Sequence, residues 1–257
     1  MKKEKLKPRL IKWYGWRPDT PDKRDHIYSV EKPVALPPKV DLRSVCPQVY
    51  DQGNLGSCTA NAIAAALQFD MIKQKGQDFV PSRLFIYYNE RVMEGTVNED
   101  AGAEIRDGIK SVVKLGDCPE KLWPYNIKRF AMKPSTKAYT DARLHQALQY
   151  SRIMRSLDTM KQCLASGFPF VFGFMVYESF ESKEVAATGV VPMPADNEKA
   201  LGGHAVMAVG YNDEEGRFYV RNSWGEDWGI KGYFTMPYEY LANENLSDDF
   251  WSIKLVE

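Results

Sequence analysis

The sequence predicts an α+β protein, and three observations carry that prediction. Apolar residues recur at helical spacing between residues 58 and 116, whereas residues 168–256 break into short apolar runs separated by turns. Helices first and strands second point to segregated layers rather than to alternating βα units. The chain has 257 residues, 44% of them hydrophobic and 26% charged, so it can bury a core without staples. Residues 1–39 read as an arm and residues 40–257 as the globular unit. Its helical part spans about 46–150 and its strand part about 151–257.

The arm holds six prolines in 39 residues, which forbid a long helix and leave an extended segment. DQGNLGSC (51–58) is a loop with two glycines. In the stretch after it, Ala60, Ile63, Ala64, Leu67 and Met71 repeat at helical spacing. Ser57 is placed to cap that helix, so Cys58 falls in its first turn. A second helix is predicted over 81–94, opened by Pro81, and a third over 103–116, stopped by Gly116. Residues 156–166 form one more. Strands are predicted at 168–176, 202–211, 217–222, 232–236 and 251–256, with NDEEG (212–216) turning between the second and third.

Charge is balanced overall, at 34 basic and 34 acidic residues, but unevenly spread. The arm carries eleven Lys or Arg against five Asp or Glu, a net +6 that leaves −6 on the rest. A basic arm on an acidic body is expected to dock there. A zero total argues against a nucleic-acid binder. No apolar run approaches the roughly 20 residues of a membrane span, and the basic start has no apolar stretch behind it. A cytoplasmic or non-classically exported protein is the expectation. The four cysteines contain no CxxC pair, so neither a zinc site nor a disulfide framework is predicted, and no metal or cofactor is called for.

Cys58 stands apart from the other cysteines. A helix N-terminus offers unpaired N–H groups and partial positive charge, both of which favour a thiolate. A cysteine nucleophile needs a base, and the chain has only His26, His145 and His204. His26 lies in the arm and His145 in a polar helical stretch. His204 follows two glycines and opens an apolar strand. If Tyr211 and Arg217 flank the turn, paired positions sum to about 428, which brings His204 within one or two places of Asn222. An asparagine oxygen there accepts the imidazole N–H and fixes its tautomer. Trp224 is placed to shield that bond.

These residues resemble the papain-like cysteine peptidases. The resemblance rests on Gln52-Gly53, Gly56-Ser57-Cys58, Gly203-His204-Ala205-Val206 and NSWGEDWGIKGYF (222–234), with VDLR (40–43) and GDCPEKLWPY (116–125) in family order. It covers roughly residues 36–240. It implies a helical lobe and an antiparallel β-barrel lobe with the active-site cleft between them. It also implies a cysteine endopeptidase acting on protein or peptide substrates through a covalent acyl-enzyme. By this resemblance Cys58 is the nucleophile, His204 the general base and acid, and Asn222 its orienter, while Gln52 and the Cys58 N–H hold the oxyanion. Gly102, Gly203, Ala205 and Trp228 would border substrate, and Trp224 would cover the Asn–His bond. Asp248 and Asp249 lie where the family's C-terminal region reaches the main pocket, but read as exposed turn residues.

The chain also departs from the family. Leu55 and Thr59 replace a cysteine and an aromatic residue around the nucleophile, which removes the usual disulfide of this lobe. Cys46 and Cys118, each followed by proline, are left as a candidate pair. The arm is far shorter than the family's helical propeptide, and its Trp13, Tyr14 and Trp16 are candidate anchors for an intramolecular inhibitor strapped across the cleft. Two other functions fit the same residues: an acyl-transferring or deamidating enzyme on this triad, and a non-catalytic homologue used for binding.

Overall fold

The computed structural model describes residues 14–29, 35–75, 78–146 and 148–255. Trp13, one of the expected anchors, lies outside them. After the arm, β1 (Lys39–Asp41) leads into the loop before α1 (Cys58–Lys73), and α2 (Arg83–Glu94) and α3 (Ile105–Leu115) complete the helical layer. α1 is buried on nearly every side, which suits the small, helix-favouring AIAAA run at its centre. It packs against both other helices and against the sheet. α2 begins two residues later than predicted. Ser82, not Pro81, sets its start, because the Ser82 side chain accepts the Phe85 N–H. Gly95, at φ 73°, closes it.

After a short α4 (Thr136–Ala142) comes β2 (Leu148–Arg152), then α5 (Leu157–Ala165), β3 (Phe170–Tyr177), α6 (Lys183–Thr188), β4 (Ala200–Asn212), β5 (Arg217–Arg221), β6 (Tyr233–Pro237), α7 (Tyr238–Ala242) and β7 (Ser247–Leu255). The strands form one antiparallel sheet in the order β2-β7-β3-β4-β5-β6, with β1 paired to β4. β1, β2, α4, α6 and α7 were not predicted. Their short segments carry too few apolar repeats to stand out.

Period-two alternation puts each strand to use on both faces. Val171, Ala205, Met207, Val209, Trp251 and Ile253 face the helices. Phe170, Phe172, Phe174, Val206, Ala208 and Phe250 face a second core, which α5 and α7 help to close. The β4–β5 hairpin has the expected register at Met207–Arg221 and Ala208–Val220, then shifts by one between Ala208 and Gly210. No described helix is long and apolar enough to cross a membrane.

Candidate active site

Three segments converge where the N-terminus of α1 meets β4. The loop 51–57 brings Cys58 to the first turn of α1, where it is fully buried. β4 carries His204, and Asn222 follows directly after the end of β5. The imidazole Nε2 of His204 lies 2.9 Å from Asn222 Oδ1. Asn222 is held in turn, because its N–H donates to Gly232 and its Oδ1 also accepts the Ser223 N–H. The Trp224 ring sits 5.1 Å from the imidazole, with Trp228 and Phe180 packed behind it. Both Trp224 and Trp228 are buried in this aromatic group.

Gln52 is buried beside the same loop. Its amide donates to the Leu55 carbonyl at 2.9 Å, and its oxygen accepts from Ser223 Oγ at 2.6 Å. A primary amide has two hydrogens, so this anchorage leaves one for a further acceptor. Ser57 occupies the N-cap position of α1 but does not cap the helix. Its hydroxyl instead pairs with Tyr125 and Asn61. The sequence pattern named the position, but the tertiary neighbours took the side chain.

The arm passes directly over this site. Gly15 O accepts from the Ala103 N–H at 2.7 Å, Arg17 N–H donates to Ala103 O, and Trp16 N–H donates to Gly203 O at 2.9 Å. The contact is so close that a Cβ on Gly15 would fall 1.8 Å from the Gly56 carbonyl oxygen. One on Gly102 would fall 2.1 Å from the Gly15 oxygen. Only glycine fits at the crossing. Tyr14 lies edge-on to His204 and bonds Glu181. The Trp16 indole fills a pocket whose space comes from Gly173 and Gly203, since a Cβ on either would enter the ring or touch its edge. Ala205 pairs with Gly173 in the sheet beneath.

One expectation needs correction here, and for Cys58 the seated arm adds an opposing influence. Burial pushes its thiol up to about 12, against the opposing help of the Ala205, Gly15 and Thr59 N–H groups. Desolvation outweighs the helix N-terminus. Asp249 is not an exposed turn residue. It lies in β7, 1% exposed, at φ 57°. Its carboxylate accepts from the Trp16 indole at 3.1 Å, the Asp19 N–H at 2.7 Å and Arg152 at 2.8 Å. Asp248 is the partly exposed one of the pair, bridging Arg152 and Arg155. Cys46 and Cys118 are both free thiols.

Among the described residues the arm docks with charges of both signs: Arg17 pairs with Glu94, and acidic arm residues meet arginines of the body. Seven of the arm's eleven Lys or Arg lie outside the described residues. Asp19 accepts from the Arg106 N–H and the Trp251 indole, and Asp25 meets Arg106 through two bonds. Sequence reasoning passed over Gly15, Asp19, Asp25, Ala103, Arg106, Arg152 and Gly173. Only the glycine set among aromatics in WYGW (13–16) carried a local signal for the crossing.

Residues 36–247 match the family described as papain family cysteine protease. An uncharacterized peptidase C1-like protein of Acanthamoeba polyphaga mimivirus is 47% identical, over 95% of this chain and 87% of its own. The crystal structure of xylellain, a cysteine protease from Xylella fastidiosa, is 50% identical and superposes with a TM-score of 0.88, covering 98% of this chain and 99% of that one. A procathepsin B from Trypanosoma congolense shares the fold at 18% identity and a TM-score of 0.75, over 96% and 87% of the two chains.

Proposed function

The chain belongs to the papain family of cysteine proteases, and from that premise we propose that it cleaves peptide bonds through Cys58, His204 and Asn222 and is held shut by its own arm. Family membership makes it a cysteine peptidase. The roles of its residues follow from their chemistry. Cys58 Sγ attacks the peptide carbonyl carbon while its proton passes to His204. His204 returns the proton to the leaving amine, and water then hydrolyses the thioester. Asn222 fixes the imidazole, and Trp224 keeps water from their bond. The Cys58 N–H and the free hydrogen of the Gln52 amide receive the oxyanion. Gly102, Gly203, Ala205 and Trp228 border the substrate path.

The observation that carries the arm's role is Gly15. It turns an N–H toward the sulfur, where a substrate must present a carbonyl carbon. The neighbouring Trp16 blocks the pocket with its indole. The arm is therefore a poor substrate lying in the substrate's place. Leaving the arm exposes Cys58 to water, which lowers the desolvation cost of the thiolate. The test is the full-length Trp16→Ala protein, labelled with a thiol-directed epoxide and assayed on a small peptide. Its labelling rate is expected to rise at least about tenfold. Equal rates in a folded Trp16→Ala protein would end the autoinhibition reading, and no labelling of either protein would end the nucleophile assignment.

A further inference from the structure

Beyond the crossing at Cys58, the arm continues into a second set of contacts. Arg106 has its side chain 3% exposed, and among the described residues every side-chain hydrogen bond it makes goes to the arm. Two of them reach the Asp25 carboxylate, at 2.9 and 2.6 Å, and the third reaches the Thr20 carbonyl. Arg152 stands on the other side of Asp25 at 3.6 Å. Both guanidiniums lie over the Trp251 ring, 5.6 and 5.4 Å from its centre. The chain then pairs with the sheet edge. Arg152 N–H donates to His26 O, and Tyr28 N–H donates to Arg152 O, at 2.7 and 2.8 Å. This seat thus reads a carboxylate through a planar fork and holds a backbone without regard to sequence.

We propose that this seat is an exosite for an acidic segment of a protein substrate, occupied in the closed state by residues 19–28 of the arm. The inference rests on the reading that the arm leaves the cleft when the enzyme works. Once it leaves, the Arg106 guanidinium loses the arm acceptors that cover it and opens to water, and a polypeptide already threaded past Cys58 is well placed to supply new ones. Ten extended residues span about 33 Å, so one chain reaches both places. Asp25 marks the position that selects for charge. The Asp19 position is less suited to an anion, because Asp249 faces it. Asp22 answers mainly to Arg24 within the arm, with Lys110 at 3.6 Å a minor partner. A substrate acid is therefore read chiefly where Asp25 now lies, between Arg106 and Arg152.

The first test is binding, which is independent of turnover. A fluorescein-labelled peptide of residues 19–28 is titrated into the full-length Asp25→Asn protein, whose arm has lost its charged bonds to Arg106. Saturable anisotropy is expected. It should fall at least about tenfold in affinity when Arg106→Gln is added to the protein, and equally when the peptide carries Asn in place of Asp25. If that variant fails to fold, full-length Trp16→Ala takes its place. No saturation up to millimolar peptide at low salt, or the same affinity with Arg106→Gln, overturns the site. The second test attaches the acidic decapeptide to either end of a cleavable peptide. One of the two is expected to show a severalfold lower KM than its Asn counterpart, and Arg106→Gln should remove that gain. Binding without any kinetic gain overturns the assignment to substrate. Absence of turnover with intact binding would instead fault the peptidase reading.

Discussion

At the level of single residues, position and surroundings pull Cys58 in opposite directions. Its helix N-terminus favours the thiolate, but full burial under the arm raises the thiol to about 12. Cys58→Ala is expected to lower turnover by more than about a thousandfold with the fold retained, since a methyl still fills most of the space. Asn222→Ala removes an orienter rather than a reacting group, so its loss in kcat should be smaller. Steady-state kinetics on both variants, with circular dichroism as a control, checks the order. Asp19 supplies a pH dependence. Burial, then the Asp249 charge, raises its carboxyl from 3.8 to about 7 in the docked arm, and Asp249 is raised as well. The docked state thus holds a proton that the released arm gives up. Docking is strongest below about pH 4 and weakens as pH climbs through 7. The epoxide labelling rate of the wild type, divided by that of Asp19→Asn, should therefore rise between pH 4 and 7. The ratio cancels the thiolate's own titration, and a flat ratio would remove Asp19 from the docking linkage.

At the level of elements, serine caps set the starts of α2, α4, α5 and α6, though not of α1. Ser82 accepts the Phe85 N–H and donates to the Trp123 carbonyl at 2.7 Å, tying the start of α2 to the loop after α3. Ser82→Ala removes a cap and leaves that buried carbonyl short of a donor. A loss of about 1–2 kcal/mol in urea unfolding is expected, and a loss below a few tenths would mean that water replaces both bonds. The strands show the reverse economy. β3 and β4 contribute to two cores at once, and their glycines, Gly173 and Gly203, leave the hole that the Trp16 indole occupies.

At the level of the molecule, the two cores share one sheet, so neither lobe keeps its apolar face covered without the other. α1 packs on β3, β4 and β7, and residues of those strands belong to both cores. Unfolding is expected to be a single transition, with near-UV and far-UV circular dichroism coinciding in denaturant. Two separated midpoints would show that the lobes unfold independently. The arm adds to this unit through buried Trp16 and the contacts of Asp19 and Asp25.

The sequence alone carried the order of α1, α2, α3, α5 and the strands β3 to β7 and the pairing of β4 with β5, and it named Cys58, His204, Asn222 and Gln52. These are local signals: periodicity, a turn between two strands, and a motif whose chemistry needs adjacent residues. Only the tertiary structure decided the rest. It moved the Ser57 hydroxyl from its cap to Tyr125, buried Asp249 beneath an indole, and seated acidic arm residues on arginines of the body. The arm's net charge gave no hint of these acidic contacts, because a sum over 39 residues carries no information about which of them touch the surface. Asp19 meets Trp251 and Asp249 across some 230 positions of chain. A contact of that kind is set by packing and desolvation after the sheet has formed, and no window along the sequence contains both partners.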